Sequence, residues 1–254
     1  MRGKRGLLLG VLTTLGSLAG CGGGGDAPTA ADTAALDHIT ALRARLADLE
    51  REAQRLESVG AIKRLQRAYG FYLDEGLWDD VADLFSDDAT IEYANEGVYA
   101  GEQRIREYLH RLGGGRNGLA EGQLNEHMQL QPVITLAPDG NRAQGRWRTV
   151  IMSGEFGKSA NWGEGTYENE YVNDGGTWKI RKLHWYVTFV APYELGWTKV
   201  EPVDRLAAPF TAEFPPDAPP TEDYKPFPGV YFPPFHWAPT MADDLLRQVP
   251  ADER

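Results

Sequence analysis

The side chains with the widest chemical range in this 254-residue chain are five histidines and a single cysteine. His38 and His110 lie among charged residues at helical spacing and read as solvated surface. His236 lies in a proline-rich tail and reads as packing. His127 and His184 fall in strand-like stretches, where a histidine is either a satisfied structural group or a general base. A histidine beside a carboxylate suits proton abstraction. The carboxylate fixes the tautomer and steadies the imidazolium, and the ring titrates near neutral pH without a large shift. Other chemistries lack their residues. The histidines are scattered, with no HExxH, CxxC or His-x-His spacing for a metal. There is no GxGxxG, and Gly113-Gly114-Gly115 is not followed by Lys-Ser or Lys-Thr as a phosphate loop requires. No GxSxG stands in the chain, so neither a cofactor nor a nucleophilic serine is expected.

Such a base needs a scaffold, and the composition provides for one: 42% hydrophobic and 25% charged residues is an ordinary globular balance. The first regular signal is a run of Leu36, Ile39, Leu42, Leu46, Leu49, Ala53 and Leu56, in steps of three and four that alternate from Ile39 onward as in a coiled-coil seam. Charged residues fill the opposite face. Residues 34–57 are thus either a helix packed on its own domain or a short stalk that joins two copies into a homodimer. Asp32 or Thr33 could cap this helix. Gly60 interrupts the seam, and a second helix is expected from Ala61 to Glu75, ended by Gly76.

A short helix over Asp79–Phe85 with Asp79 as its N-cap follows, then a strand over Thr90–Tyr93 and a helix over Gly101–Leu112. Strands are expected at Asn125–Leu136, Ala143–Gly154, Gly165–Asn173 and Thr177–Val190. A loop at Gly157–Gly163 and the turns Pro138–Asn141 and Asp174–Gly176 separate them. Helices first and antiparallel strands afterwards argue for an α+β domain over residues 58–193. Thirteen of the sixteen prolines lie from Pro192 onward, with aromatics threaded among them. Disordered segments are poor in aromatics, so residues 194–254 are expected to wrap on the domain as an extended arm, or else to serve as a docking peptide.

The N-terminus carries a different message. Met1–Arg5 is basic and Gly6–Gly20 is uncharged, which is the layout of a secretory signal peptide too short to span a bilayer comfortably. Leu18-Ala19-Gly20-Cys21 resembles the lipobox of bacterial lipoproteins, which implies cleavage after residue 20, lipidation of Cys21 and a tether to a membrane of the cell envelope. Gly22 after the cysteine leans toward the outer membrane. Residues 21–33 then form a flexible linker. Without Arg2, Lys4 and Arg5 the net charge of −11 becomes −14, which disfavours nucleic acid as a partner.

Two stretches resemble SnoaL-like, NTF2-like domains: Ala68 through Asp79 followed by Leu84 through Tyr93, and Gly97–Gly101 leading into the helix that holds Ile105. The strand Gly176 through His184 is similar to that family's end. The resemblance implies a cone made of a curved, antiparallel-rich sheet closed by about three helices, with a pocket for a small hydrophobic molecule. Within the superfamily the pattern is similar to scytalone dehydratase. That similarity implies catalytic roles for Asp74, four residues before Trp78, for Tyr93 at the end of the first strand, and for His127 at the start of the next long one. A second catalytic histidine of that pattern is replaced by Met152-Ser153, and His184 is the candidate substitute. Tyr69, Tyr72, Trp147, Tyr167 and His184 are expected to line the pocket. The implied chemistry is a cofactor-independent dehydration or isomerisation beside a carbonyl, or ligand binding alone in the same fold.

Overall fold

The computed structural model describes residues 29–201 and 208–237. The signal segment, the lipobox and Cys21 lie outside them. The chain divides into two compact units, Met1–Leu49 and Glu50–Arg254. In the first, the described residues belong to helix α1 (Ala30–Asp74), and the seam residues Leu36, Ile39, Leu42, Leu46 and Leu49 are all exposed. No helix among the described residues is long and apolar enough to cross a membrane.

Helix α1 runs unbroken through Gly60, where two helices were expected. A single interior glycine costs about 1 kcal/mol of helix propensity. The face that follows, Ile62, Leu65, Tyr69 and Leu73, is buried in the core and offsets that cost. The helix also starts before its expected caps, at Ala30, and the Thr33 hydroxyl donates back to the Thr29 carbonyl.

The second unit continues through α2 (Trp78–Ala82), β1 (Phe85–Tyr93), β2 (Tyr99–Ala100), α3 (Glu102–Leu112), β3 (Gln123–Leu136), β4 (Arg142–Glu155), β5 (Ser159–Asp174), β6 (Thr177–Pro192) and α4 (Gly196–Lys199). Asp79 does not cap α2, which follows Leu77 without a side-chain cap. Its carboxylate instead accepts from Arg106 and His110 of α3. The six strands form one unclosed sheet in the order β2-β1-β6-β5-β4-β3, antiparallel throughout except that β1 runs parallel to β6. The expected loop at Gly157–Gly163 shrinks to a turn at residues 156–158. Beyond it, Ser159–Gly163 pairs with β4 down to Glu155, so the glycine there marks a close strand approach.

One core cluster joins α1, α2 and α3 to one face of the sheet, through Ile62, Tyr69, Val81, Ile105, Trp147 and Ile180 among others. Residues 208–237 lie against the domain. Ala218 bridges to Val98, Phe214 stacks on Tyr99 at 5.5 Å, and the Tyr224 hydroxyl accepts from the Val187 N–H at 2.9 Å.

Candidate functional site

The end of α1 is fastened to the start of β3, and that junction builds the site. The Asn125 amide donates to the Leu73 carbonyl at 2.8 Å. Two residues on, the His127 backbone N–H donates to the Asp74 carboxylate at 2.6 Å. Gly70 permits this close approach: a Cβ there would lie 2.8 Å from the Gln129 side chain and 3.3 Å from the His127 carbonyl. The same Asp74 oxygen stands 3.3 Å from Nδ1 of the His127 ring, and both side chains are largely shielded from solvent. Nε2 is then the nitrogen left for a substrate.

His127 lines an open cavity of about 570 Å³. Leu73, Trp78, Leu112, Leu119, Ile151, Trp185 and Val190 form its apolar walls. Its polar contributions come from His127, Asn125, Tyr93, Tyr167 and Glu96. Volume and lining are those of a small-molecule site. Trp78 is fixed in the wall by its indole N–H, which donates to the Arg116 carbonyl at 2.8 Å.

Tyr93, Trp185 and Tyr167 stand in register across β1, β6 and β5 and so share the cavity face. The Tyr93 hydroxyl is 2.5 Å from that of Tyr69, and Tyr69 packs edge-on against Tyr167 at 5.9 Å. Burial is the main cause that holds the hydroxyls of Tyr69, Tyr93 and Tyr167 above the ordinary phenol range, so all three are proton carriers rather than phenolates at neutral pH. Either hydroxyl can donate in this pair; when Tyr69 donates, Tyr93 keeps its own proton for an oxygen in the cavity.

The residues singled out in the sequence therefore separate. His127, Tyr93 and Tyr167 come together at the cavity, with Asp74 behind His127 and Tyr69 directly behind Tyr93. Tyr72 and Trp147 do not line it. Tyr72 packs at the edge of the core, and Trp147 is fully buried, donating its N–H to the Tyr171 hydroxyl at 2.9 Å. His184 is also absent from the cavity. It is wholly buried on the opposite sheet face, its Nε2 3.1 Å from the Ala94 carbonyl and its ring stacked on Tyr186. The missing second histidine of the dehydratase pattern is thus not replaced by His184. Alternation put His184 and Trp185 on opposite faces, and the structure gives the cavity to Trp185.

Sequence reasoning missed Glu96, Asn125 and the polar relay beneath His127. Gln129 donates to the His127 carbonyl at 3.0 Å and accepts from Gln66 at 2.9 Å; Gln66 in turn accepts from Tyr171 and Asn169. Gln66 on the apolar face of a helix was the available signal. Among the described residues no group of three or more His, Cys, Asp or Glu side chains is arranged to hold a metal.

The sequence profile of the SnoaL-like domain matches residues 54–184, just over half of the chain, a span that holds Asp74, Tyr93, His127 and Tyr167. The chain belongs to the SnoaL-like family. Among solved structures, this SnoaL-like domain is similar to a scytalone dehydratase candidate from Novosphingobium aromaticivorans DSM 12444, with 20% identity, 56% of this chain and 91% of that chain covered, and a TM-score of 0.49. It is similar as well to the hexachlorocyclohexane dehydrochlorinase LinA-type3 from Novosphingobium barchaimii LL02, with 19% identity, 56% and 93% covered, and a TM-score of 0.49.

Proposed function

We propose that this SnoaL-like domain is a cofactor-independent lyase or isomerase acting on a small hydrophobic carbonyl compound. The observation that carries the reading is a histidine lining a largely apolar cavity with its Nδ1 turned to a largely shielded aspartate. In this reading His127 Nε2 removes a proton from the carbon next to the carbonyl, and Asp74 steadies the imidazolium that results. The C–H electron pair moves into a new C=C bond and the carbonyl oxygen gains enolate charge. That oxygen accepts a hydrogen bond from Tyr93. Isomerisation is completed when the imidazolium returns the proton to a different carbon. Elimination is completed when a β-hydroxyl leaves as water, taking the imidazolium proton.

Deuterium uptake tests this directly. The protein is incubated in D2O with β-tetralone, an apolar ketone with acidic α-hydrogens, and the α-proton signal is followed by NMR. Enzyme-dependent exchange that disappears in His127→Ala, with ketone binding retained, supports the reading. Binding without exchange sinks it and leaves a ligand-binding module. One feature favours that second reading: Ile151 stands in register beside His127 on β4 and lines the cavity, so the residue next to His127 on that wall is apolar and supplies no second base.

The lipobox supports a further proposal, that the protein is a lipoprotein of the cell envelope anchored through Cys21, with the membrane as its partner. Labelling of cells with radioactive palmitate should mark the chain and fail to mark Cys21→Ser. Equal labelling of both would refute the anchor.

A further inference from the structure

We propose that the exposed seam of α1 is a self-association surface, and that two copies of this chain pair along it in antiparallel orientation, with Leu46 of one copy beside the partner's Leu49.

Of the seam, Ile39, Leu42, Leu46, Leu49, Ala53 and Leu56 are spaced as the a and d positions of a coiled coil, and Leu36 stands one residue out of that register. Ile39 is 45% exposed and Leu56 65%, with the other three leucines between them. An amphipathic helix of this pattern gains its stability from a partner that covers the apolar stripe, since helix propensity alone is a weak source. The seam in this chain is uncovered among the described residues.

The packing layers choose the orientation. A parallel pair would stack Ala53 on Ala53 and leave a gap in the last heptad. An antiparallel pair centred between Leu46 and Leu49 sets Ile39 against the partner's Leu56, Leu42 against the partner's Ala53, and Leu46 against the partner's Leu49. Every layer then contains at least one leucine, and the small alanine is matched to a large side chain.

The flanking charges make the same choice. In the parallel arrangement Arg45 meets the partner's Glu50, but Glu52 meets the partner's Glu57 and His38 meets the partner's Arg43. In the antiparallel arrangement Arg43 faces the partner's Glu50 and Arg45 faces the partner's Glu52. By symmetry that makes four opposite-charge pairs and no like-charge pair among these residues. Opposed helix dipoles favour it as well.

The test uses the full chain carrying Cys21→Ser, in mild detergent. Sedimentation equilibrium at micromolar concentrations should give twice the chain mass. Arg43→Glu with Arg45→Glu should weaken association at least tenfold, and mixing with chain carrying Glu50→Arg and Glu52→Arg should restore it as a heterodimer. These positions are exposed, so near-UV circular dichroism of the domain should not change. Orientation is read from disulfides. Leu46→Cys chains mixed with Leu49→Cys chains should cross-link to each other, and neither should cross-link efficiently alone. A monomer at all concentrations overturns the proposal, as does a Leu46→Cys chain that cross-links to itself. Monomeric chain that loads onto phosphatidylglycerol vesicles through Leu46 and Leu49 would also overturn it, by making a membrane the occupant.

Discussion

Asp74 holds His127 at two points with one oxygen, the backbone N–H at 2.6 Å and ring Nδ1 at 3.3 Å. The first bond joins helix α1 to strand β3 and the second orients an imidazole, so architecture and chemistry share one carboxylate. Asp74→Asn keeps an acceptor for the backbone and loses the charge that steadies an imidazolium. Stability should change by about 1 kcal/mol, the worth of one hydrogen bond. Ketone α-proton exchange should fall by about 10²-fold or more, the usual contribution of general acid–base catalysis. An unchanged exchange rate in Asp74→Asn, alongside normal urea unfolding, would show that Asp74 serves the fold only.

The pairing of Asp74 with His127 is implied by the resemblance to the dehydratase pattern, since no short-range spacing brings a helix end to a strand start 53 residues on. His184 could not be placed, for alternation assigns residues to two faces and does not say which one the helices cover. The covering of the second face depends on contacts more than thirty residues distant, such as Thr221 with Glu92 and Tyr224 with Val187. Glu96 was invisible for the same reason. In sequence it belongs to a turn signal, Glu96-Gly97, and only the folded arm shows that its carboxylate is a buried hub. At Gly60 local propensity points to a break, and the buried face beyond it carries α1 through.

His184 gives a pH signature. Burial chiefly, with Lys182 adding repulsion, lowers its pKa to about 3 from an ordinary 6.5. The unfolded chain therefore takes up a proton below pH 6.5 that the folded chain refuses. Stability is present above pH 6.5 and is lost as pH falls from there toward 3, at a limiting slope of about 1.4 kcal/mol per pH unit. Glu92, 3.4 Å away, acts oppositely: burial raises its pKa above 4.5, so the folded state gains a proton early and the loss flattens at the acid end. Thr221 and Glu222 of the arm face this pair. Urea midpoints measured from pH 7 to pH 4 should fall for the wild type and fall less steeply for His184→Gln. Parallel curves would contradict the assignment.

Gly113 tests the cavity wall. A Cβ at this position would lie 2.0 Å from Nε1 of Trp78 and 2.3 Å from Cε2, a rigid indole already tied to Arg116. The Gly113 backbone, at φ −80° and ψ 8°, is open to any residue, so the cost of Gly113→Ala is steric. Overpacking of this kind costs about 1–3 kcal/mol. Thermal unfolding should register that loss, and the shifted indole should change tryptophan fluorescence. A variant as stable as wild type would mean that Trp78 moves freely, contrary to its place in the wall.

Glu96 ties the C-terminal arm to the rim of the cavity. Its carboxylate accepts from the Tyr108 hydroxyl at 2.9 Å, the Thr211 hydroxyl at 2.7 Å and the Ala208 N–H at 3.2 Å, and Ala208 itself lines the cavity. The Tyr99 hydroxyl donates to the same carboxylate at 3.3 Å, and with every one of these partners a donor the carboxylate is matched and an amide is not. Glu96→Gln replaces one acceptor oxygen with an NH2 group directed at a donor and removes the charge that strengthens the remaining bonds. A loss of about 2–3 kcal/mol is expected, the range for hydrogen bonds to a charged group. Because the loss is concentrated where the arm meets the domain, it should appear first as local release. Limited chymotrypsin digestion after Phe210 and Tyr224 should accelerate well before global unfolding, and the cavity should exchange ligand faster as its rim loosens. Equal digestion of wild type and variant would show that the remaining arm contacts hold it unaided, with Phe214 on Tyr99 and Asp217 on Arg104 sufficient for the purpose.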